Sequence, residues 1–290
     1  MKDIIGVYAG IFNATLDDYL MRRLDCPSPV KEAVAYAMTG GGKRLRPMLC
    51  YLGAEFAGKS CEEVQDFALA VELIHGYSLI HDDLPCMDND TLRRGKPTTH
   101  VKFGEAVALL AGDAMLNSAF EVLLETVNSS RDVLAASYIA KYAGTTGMIG
   151  GQCMDVTENN GSGYDENALL SMYSKKTSGL LIAALLSGAV SCGCSKEEEI
   201  DLLNFADYMG VAYQITDDIL DCTSTEAVLG KNVKSDEKSD KKTYVAMFGM
   251  KEAEKKAKDF TMRAVSCISK YGEKADKLIQ LCHYLVGRNY

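Results

Sequence analysis

The sequence contains no tryptophan, only five prolines and only four histidines among its 290 residues. Because proline breaks helices, its scarcity leaves long stretches that can form uninterrupted helices. The alternation of apolar and polar residues that is typical of half-buried strands is also missing. These absences argue against a sheet-based fold and favour an all-α one.

Positive charge is also in short supply, since 31 lysines and arginines oppose 40 aspartates and glutamates and give a formal net charge of -9. General binding of nucleic acid or of anionic membranes requires basic surface, so we expect neither. An anionic ligand is still compatible with a negative protein. A few local cations, or bound metal ions, are enough to hold a diphosphate.

None of the ten cysteines forms a CxxC pair, which argues against a zinc ribbon or a thioredoxin motif. The only tight pair is Cys192 and Cys194, for which the sequence indicates no function. The others sit singly, mostly among apolar residues, which predicts buried, reduced thiols and a cytoplasmic location. The N-terminus lacks signal or transit character, and we expect no membrane span because no stretch approaches the roughly 18 to 20 uncharged apolar residues that one needs.

Helical periodicity runs through nearly every segment, with apolar residues three and four apart. It predicts a single large all-α helical bundle over residues 1–290, in which the most apolar helices are central. The predicted helices cover residues 30–39, 64–80, 106–127, 133–144, 168–190, 200–220 and 251–271. The stretch 222–243 is too polar to pack and too long for an ordinary connection, so we expect it to cover a site.

Two clusters of aspartates follow long apolar helices. They comprise Asp82, Asp83, Asp88 and Asp90, and Asp217, Asp218 and Asp221. Carboxylates at the negative end of a helix are unfavourable, so something positive must compensate them. A hard cation such as Mg²⁺ does this while sharing substrate phosphates as ligands. Two such clusters together predict facing magnesium sites rather than a solvated acidic surface.

The spacing within each cluster predicts its geometry. Asp217 and Asp221 are four residues apart and share a helical face. Asp82 and Asp88 are six apart and would not align on a straight helix, but Pro85 breaks the helix between them. We therefore predict a bulge that returns Asp88 towards Asp82. A calcium loop is disfavoured because neither cluster has the central glycine and final glutamate of an EF-hand.

A run of three glycines, residues 40–42, leads into Lys43, Arg44 and Arg46. Glycine lets the backbone approach a ligand closely, and lysine and arginine bind phosphate oxygens. The run is not a Walker A loop, because Ala37 stands where its first glycine is needed and Arg44 where its serine or threonine is needed. A phosphate site and a plain basic loop at a helix start both remain open.

His75 lies seven residues before Asp82 and shares its helical face, about two turns or roughly 10 Å away. Glu72, three residues before His75, resembles half of a di-iron site. A di-iron centre is disfavoured, since no other histidine has a glutamate three residues before it. His75 is either a satisfied core residue or a ligand for the substrate.

Two metal-binding acidic clusters and a set of cations suit two diphosphates. The chemistry that needs them is ionisation of an allylic diphosphate, in which metal and cationic side chains stabilise the departing pyrophosphate. The allylic cation left behind must be kept from water by a dry, apolar pocket.

Residues 70–85, followed by Arg93, Arg94 and residues 101–105, closely resemble the trans-prenyl diphosphate synthase family, and within it the bacterial-type farnesyl diphosphate synthases. The resemblance runs from about Gly41 to the C-terminus. It implies an isoprenoid-synthase bundle with a central active-site cavity, Mg²⁺ as cofactor and a homodimer. The implied substrates are isopentenyl diphosphate and the allylic dimethylallyl and geranyl diphosphates.

The resemblance also implies roles for individual residues. Implied metal ligands are Asp82, Asp88 and Asp217, with Asp83 in support. The positions that match the isopentenyl diphosphate site are Gly42, Lys43, Arg46, His75 and Arg94. Those that match the allylic diphosphate site are Arg93, Lys176 and Lys231. Polar groups beside the allylic carbons match Thr177 and Gln214, and Gln152 matches a glutamine that lines the site. The released pyrophosphate is implied as the acceptor of the final proton.

Product length depends on Tyr77, five residues before Asp82. An aromatic residue there, with the two-residue expansion of the first cluster, resembles the short-product type, since a ring can form a floor below a growing chain. We predict farnesyl diphosphate as the product, with geranylgeranyl diphosphate as the second candidate. Two competing hypotheses stay open, an ordinary core role for Tyr77 and a non-catalytic subunit of a heteromeric synthase. A terpene cyclase is disfavoured by the aspartates of the second cluster.

Overall fold

Helices make up nearly all of the computed structural model, which describes residues 1–157, 165–223 and 242–287. The first seven α-helices are α1 (Lys2–Asp18), α2 (Val30–Met38), α3 (Leu45–Phe56), α4 (Gln65–Asp82), α5 (Thr99–Phe103), α6 (Glu105–Thr126) and α7 (Ser130–Ala143). The others are α8 (Met148–Thr157), α9 (Glu166–Tyr173), α10 (Gly179–Ser191), α11 (Lys196–Thr223), α12 (Tyr244–Phe248), α13 (Met250–Ile268) and α14 (Asp276–Val286).

Short irregular elements complete the described chain. Tyr19–Arg23 and Ser174–Ser178 are π-helical, and Cys61–Val64 and Ser269–Ala275 are 3₁₀-helical. Strands β1 (Leu92–Arg93) and β2 (Lys96–Pro97) pair antiparallel as a tiny hairpin. The predicted all-α fold is confirmed.

Helix α10 lies at the centre of the bundle. Every residue from Gly179 to Val190 is buried, because the helix is apolar around its whole circumference and must be enclosed. Helices α3, α7 and α11 pack around it. This confirms the central position that its composition predicts.

Two glycines bring α3 and α10 into backbone contact. A Cβ atom on Gly188 would lie 1.9 Å from the carbonyl oxygen of Cys50, and one on Gly53 would lie 2.3 Å from that of Leu185. Any side chain at either position would therefore force the two helices apart.

The helix predicted over residues 168–190 is present, but it contains a π-helical segment that was not predicted. The π-helical segment Ser174–Ser178 separates α9 from α10. A π turn adds a residue to the helix without ending it, and such turns are frequent at functional sites. Apolar spacing on either side does not reveal the insertion. Helices α3, α5, α8, α12 and α14 were not predicted, and α8 contains two glycines that lower its helix propensity.

A second apolar cluster fixes the C-terminal half of α11. Tyr173 of α9, Ile215 of α11, Tyr244 of α12 and Phe260 of α13 are buried in it. The end of α11 is thereby held against α9 and against α12, which follows residues 224–241.

By length and composition α6 is the one helix in the described parts of the chain that could cross a membrane. The sequence analysis did not identify this helix as a candidate membrane span. Its outward face exposes Leu109, Leu110, Phe120 and Leu124. Since apolar helices of soluble bundles pass the same test, the expected absence of a membrane span stays a prediction.

The cysteines only partly match their predicted burial. None of the ten forms a disulfide, and Cys50 and Cys282 are among the buried ones. In contrast, Cys86, Cys153 and Cys222 are exposed. Each of these three lies within two residues of a polar candidate residue, namely Asp88, Gln152 or Asp221, so its sequence neighbours are not all apolar.

We expect the substitution Gly188→Ala to lower the free energy of unfolding by roughly 1–3 kcal/mol, because its methyl group would overlap the Cys50 carbonyl. Chemical denaturation followed by circular dichroism measures the change. The matched control is Gly10→Ala on exposed α1, where no atom lies within 4 Å of the added methyl, so the expected effect is neutral or slightly stabilising. Equal losses in the two variants would contradict the proposed backbone contact.

Candidate active site

The first acidic cluster begins at the last residue of α4, Asp82. Beyond it the chain turns back, since the backbone N–H of Asp88 donates to the carbonyl oxygen of Asp82 at 2.8 Å. The N–H of Asn89 donates to that of Leu84 at 3.1 Å. The bulge predicted around Pro85 is confirmed, and it brings Asp88 back to the end of α4.

The carboxylate of Asp83 is paired with Arg93 on the β1–β2 hairpin. Arg93 Nε lies 2.8 and 2.9 Å from the two carboxylate oxygens, and Nη2 lies 2.7 Å from Oδ1. Burial raises the pKa of the Asp83 carboxyl, and the Arg93 guanidinium opposes that shift. The pair ties the hairpin to the end of α4.

Asp82 lies beside α8 and the π-helical segment. Gln152 Nε2 donates to Asp82 Oδ1 at 2.8 Å, while Gln152 Oε1 is buried and has no hydrogen-bond donor among the described residues. Burial, followed by repulsion from Asp88, raises the pKa of Asp82, whereas the charge of Lys176 lowers it. The nearby Lys176 itself is held by Asp155, with Nζ 2.6 Å from Oδ2.

The side chains of the second acidic cluster point in two different directions. Asp217 and Asp221 line a cavity of about 410 Å³, as expected for residues on one helical face. Asp218 is buried on another side, where it accepts hydrogen bonds from Gln214 Nε2 at 3.1 Å and from the backbone N–H of Tyr244 at 3.0 Å. Only part of the cluster therefore lines the cavity.

The same cavity brings together the residues that match the isopentenyl diphosphate site, whereas Arg93 and Lys176 are not among its lining residues. It is lined by Lys43, Arg46, His75 and Arg94, and also by Gly42 and Thr177. Apolar side chains of Leu181 and Leu220 complete part of its wall. The fold thus joins the glycine-rich loop, α4 and the hairpin to the C-terminal half of α11.

The backbone conformation and the close packing of Arg94 explain why residue 42 is a glycine. Its φ is +128°, and a Cβ atom there would lie 2.7 Å from the Arg94 guanidinium. Arg94 Nη1 donates to the carbonyl oxygen of Gly41, so the guanidinium is packed directly on the loop. Gly42 therefore admits Arg94 to the cavity wall.

A buried ion pair that was not predicted from the sequence stands behind this loop. Arg44 has a left-handed backbone with φ 50° and turns inward, where Nη1 is 2.9 Å from Glu72 Oε1 and Nη2 is 2.6 Å from the carbonyl oxygen of Met38. Glu72 also lines the cavity, so it supplies negative charge among the cations. Its position three residues before His75, on the same helical face, was an available signal.

Burial and the crowding of positive charges change the pKa values of residues that line the cavity. Burial, with the charges of Arg46 and Arg94, lowers the pKa of His75 well below its usual 6.5. Burial also lowers the pKa of Arg46 and of Arg94. Arg46 Nε is buried and has no acceptor in the part of the chain that the structure describes. Crowded cations and an unsatisfied donor fit an anionic ligand.

Thr177 and Gln214, which the resemblance places together, are hydrogen-bonded. Thr177 Oγ1 donates to Gln214 Oε1 at 2.7 Å. The π-helical segment carries both Lys176 and Thr177, so it presents the lysine near Asp82 and the threonine to the cavity. Lys231 lies outside the described residues.

Comparison with known proteins identifies the family. A sequence model of the polyprenyl synthetase family matches residues 27–284. The chain belongs to the polyprenyl synthetase family. It is 40% identical over 266 residues to a geranylgeranyl diphosphate synthase of Cyanophora paradoxa, covering 91% of this chain and 89% of that protein. It is also 40% identical over 270 residues to a farnesyl diphosphate synthase of Escherichia coli (strain K12), covering 90% of each.

A solved structure agrees with this assignment. The crystal structure of a geranyltransferase from Helicobacter pylori complexed with magnesium and isoprenyl diphosphate has a TM-score of 0.82 and 30% identity, covering 98% of this chain and 96% of that one. This polyprenyl synthetase is a short-chain trans-prenyltransferase.

The carboxylates of this polyprenyl synthetase fit magnesium in a particular way. Within residues 1–157, 165–223 and 242–287, no three histidine, cysteine or acidic side chains converge as a ready-made metal cage. Mg²⁺ commonly uses only one or two carboxylates and completes its shell with waters and substrate phosphates. Aspartates at two helix ends and the unsatisfied buried oxygen of Gln152 suit this shared mode of binding.

We expect His75→Gln to make the stability of the substrate-free protein less sensitive to acid. The folded pKa of His75 lies well below 6.5, so below about pH 6.5 the unfolded chain binds more protons than the folded one. Stability is therefore complete above pH 6.5 and falls on acidification, by at most about 1.4 kcal/mol per pH unit from this residue. Chemical denaturation at pH 7 and pH 5 measures the difference.

The control for this experiment is His283→Gln, at an exposed histidine of α14. If His75→Gln changes the pH dependence of stability no more than His283→Gln does, His75 is not the buried, neutral group that we describe.

Proposed function

We propose that the protein condenses isopentenyl diphosphate with dimethylallyl and then geranyl diphosphate, in Mg²⁺-dependent head-to-tail steps, to give farnesyl diphosphate. The observation that carries this proposal is the cavity of about 410 Å³ in which the cations of the glycine-rich loop and the hairpin meet Asp217 and Asp221. One site thereby offers basic side chains for one diphosphate and carboxylates for the metal ions of another.

In the proposal, isopentenyl diphosphate is held by the cavity cations. Lys43, Arg46 and Arg94 supply positive charge, and His75 supplies a neutral hydrogen-bonding ring in the substrate-free state. Glu72 lines the same cavity, and its negative charge limits the mutual repulsion of these cations before the substrate arrives.

The allylic diphosphate is assigned to the acidic side of the site. Asp82, Asp88 and Asp217 would hold magnesium, whose charge stabilises the leaving pyrophosphate when the ion is bound. Lys176, Arg93 and Lys231 are proposed to contact the same diphosphate. Lys176 and Arg93 are each ion-paired with an aspartate, so a diphosphate that binds them must compete with Asp155 and Asp83.

The reaction divides into bond cleavage, bond formation and proton loss. The carbon–oxygen bond of the allylic diphosphate breaks, and pyrophosphate leaves with the electron pair. The double bond of isopentenyl diphosphate then attacks the allylic carbon, and proton loss from its C2 restores a double bond. Oxygens of Thr177 and Gln214 stabilise the cation, and Leu181 and Leu220 help to exclude water. We assign the proton to the released pyrophosphate.

Product length is the finer part of the proposal. The Tyr77 ring is buried in α4 and meets the His81 ring edge-on, with centroids 5.6 Å apart. His81 Nε2 lies 3.1 Å from the carbonyl oxygen of Leu109 on α6. These contacts hold the ring near Asp82, where we propose that it forms the floor beneath a fifteen-carbon chain. Similar proteins are named as farnesyl and as geranylgeranyl synthases, so this residue needs a direct test.

The testing experiment supplies purified protein with labelled isopentenyl diphosphate and dimethylallyl diphosphate, with Mg²⁺ or with EDTA. We expect Mg²⁺-dependent formation of farnesyl diphosphate, and a shift of Tyr77→Ala to twenty-carbon or longer products because the floor is removed. The matched control, Tyr77→Phe, keeps the ring and is expected to keep the fifteen-carbon product. Products are dephosphorylated and sized by chromatography.

The outcomes separate the parts of the proposal. Twenty-carbon product from the wild type would keep the mechanism and refute Tyr77 as the floor. No condensation with any allylic primer would favour the non-catalytic subunit instead.

A homodimer is also part of the proposal, and α6 and α7 offer a face for it. Their exposed apolar side chains are Leu109, Leu110, Phe120, Leu124, Val133 and Leu134. A two-fold axis would place the same face of a second copy against this one and cover both. The cytoplasmic location predicted from the cysteines remains a prediction.

We expect Leu124→Glu to weaken self-association at least about tenfold, because a charge would be buried in the interface. Leu124 is 78% exposed in the single chain, so its replacement should spare the fold. Light scattering after size exclusion, over a range of concentrations, measures the effect. The control is Val7→Glu on α1, also exposed at 63%. A monomeric wild type, or equal weakening by both variants, would contradict this interface.

A further inference from the structure

A chain of hydrogen bonds leads from Thr177 to the start of α12. Thr177 Oγ1 donates to Gln214 Oε1 at 2.7 Å, and Gln214 Nε2 donates to Asp218 Oδ1 at 3.1 Å. The other oxygen of Asp218 accepts from the backbone N–H of Tyr244 at 3.0 Å and from the hydroxyl of Tyr173. The chain therefore ends on a buried carboxylate that accepts from at least three protein donors.

This arrangement determines which way the Gln214 amide faces. An amide has a donor end and an acceptor end, whereas an ionised carboxylate only accepts. Beside Asp218, the amide must therefore present Nε2 to the carboxylate and Oε1 to Thr177. With the reverse orientation, two acceptors would face each other in a buried position, which is costly.

The amide in turn determines the polarity of the Thr177 hydroxyl. A hydroxyl has one hydrogen and two lone pairs. Because the hydrogen is committed to Gln214, the lone pairs are left for the cavity that Thr177 lines. Oxygen lone pairs stabilise a nearby carbocation, whereas a hydroxyl hydrogen turned towards it would repel it.

We propose that Asp218 is a positioning residue: acting through Gln214, it holds the Thr177 hydroxyl with its lone pairs towards the reacting allylic carbons. The orientation of the Thr177 hydroxyl is inferred from the hydrogen bonds alone. The effect of that orientation on catalysis rests on the proposed function. It separates Asp218 from its neighbours Asp217 and Asp221, which line the cavity.

The substitution Asp218→Asn reverses the chain at nearly constant shape. Two donors, Tyr173 and the Tyr244 N–H, require an acceptor at one end of the new side chain, so its NH₂ group faces Gln214. The Gln214 amide then turns its oxygen to that NH₂ group and its nitrogen to Thr177. The hydroxyl must accept instead of donating, and its hydrogen is released. We expect kcat to fall roughly 10- to 100-fold while KM for both substrates changes less than about threefold.

A double-mutant cycle with Thr177→Val tests the route of the effect. If Asp218 acts through the Thr177 hydroxyl, Asp218→Asn lowers kcat little further once that hydroxyl is gone. Multiplying kcat losses would overturn the proposal, since Asp218 would then act independently of Thr177.

The matched control is Asp207→Asn. Asp207 lies on α11 and accepts from Ser174 of the π-helical segment at 2.6 Å, so it bridges the same two elements away from Gln214. We expect a loss of stability with kcat within about twofold of the wild type. A loss of kcat equal to that of Asp218→Asn would show that weakened helix contacts explain both, and would overturn the proposal.

Thermal unfolding of the same variants tests the hydrogen-bond chain without turnover. Coupled sites predict that the losses in melting temperature for Thr177→Val and Asp218→Asn do not add, and additive losses would overturn the inference. An inactive wild type would refute the proposed function, and the unfolding cycle would still decide whether Asp218 orients Thr177.

Discussion

Repulsion between carboxylates at the C-terminal ends of α4 and α11 is the constraint around which the site is organised. Those ends carry the negative pole of their helices, so the aspartates there are disfavoured twice over. Nearby side chains offset this by donating hydrogen bonds to three of the carboxylates: Arg93 to Asp83, Gln152 to Asp82 and Gln214 to Asp218. The repulsion that remains is what the proposed Mg²⁺ ions would relieve.

On the cationic side of the site, buried or partly buried cations are in turn paired with carboxylates. Arg44 is neutralised by Glu72, and Lys176 by Asp155, in pairs of which at least one member is buried. A buried ion pair contributes little net stability because both charges lose water. For the Lys176–Asp155 pair, the proposed function gives this a use, because the charge assigned to the allylic diphosphate is kept in position before that diphosphate binds. The His75 ring, neutral in the same surroundings, fits between the cations without adding charge.

Local chemistry explains which features were predictable. Pro85 and the six-residue spacing were enough to predict that Asp88 returns to Asp82, because the turn depends only on residues within it. The π-helical segment was not predictable, since its extra residue leaves no mark in apolar spacing. The inward turn of Arg44 depends on a left-handed backbone and on Glu72, 28 residues away. The burial of Asp218 depends on Tyr173 and Tyr244, which are distant in sequence.

The distribution of thiols around the molecule has a practical consequence. Burial raises the pKa of seven cysteines, namely Cys26, Cys50, Cys61, Cys192, Cys194, Cys267 and Cys282. Their thiolates are therefore scarce at neutral pH, and the thiolate is the reactive form. The exposed Cys86, Cys153 and Cys222 all border the acidic clusters or Gln152. An electrophilic dye or an oxidant would thus meet thiols next to the candidate site residues first, which gives the native chain built-in attachment points for a fluorescent reporter.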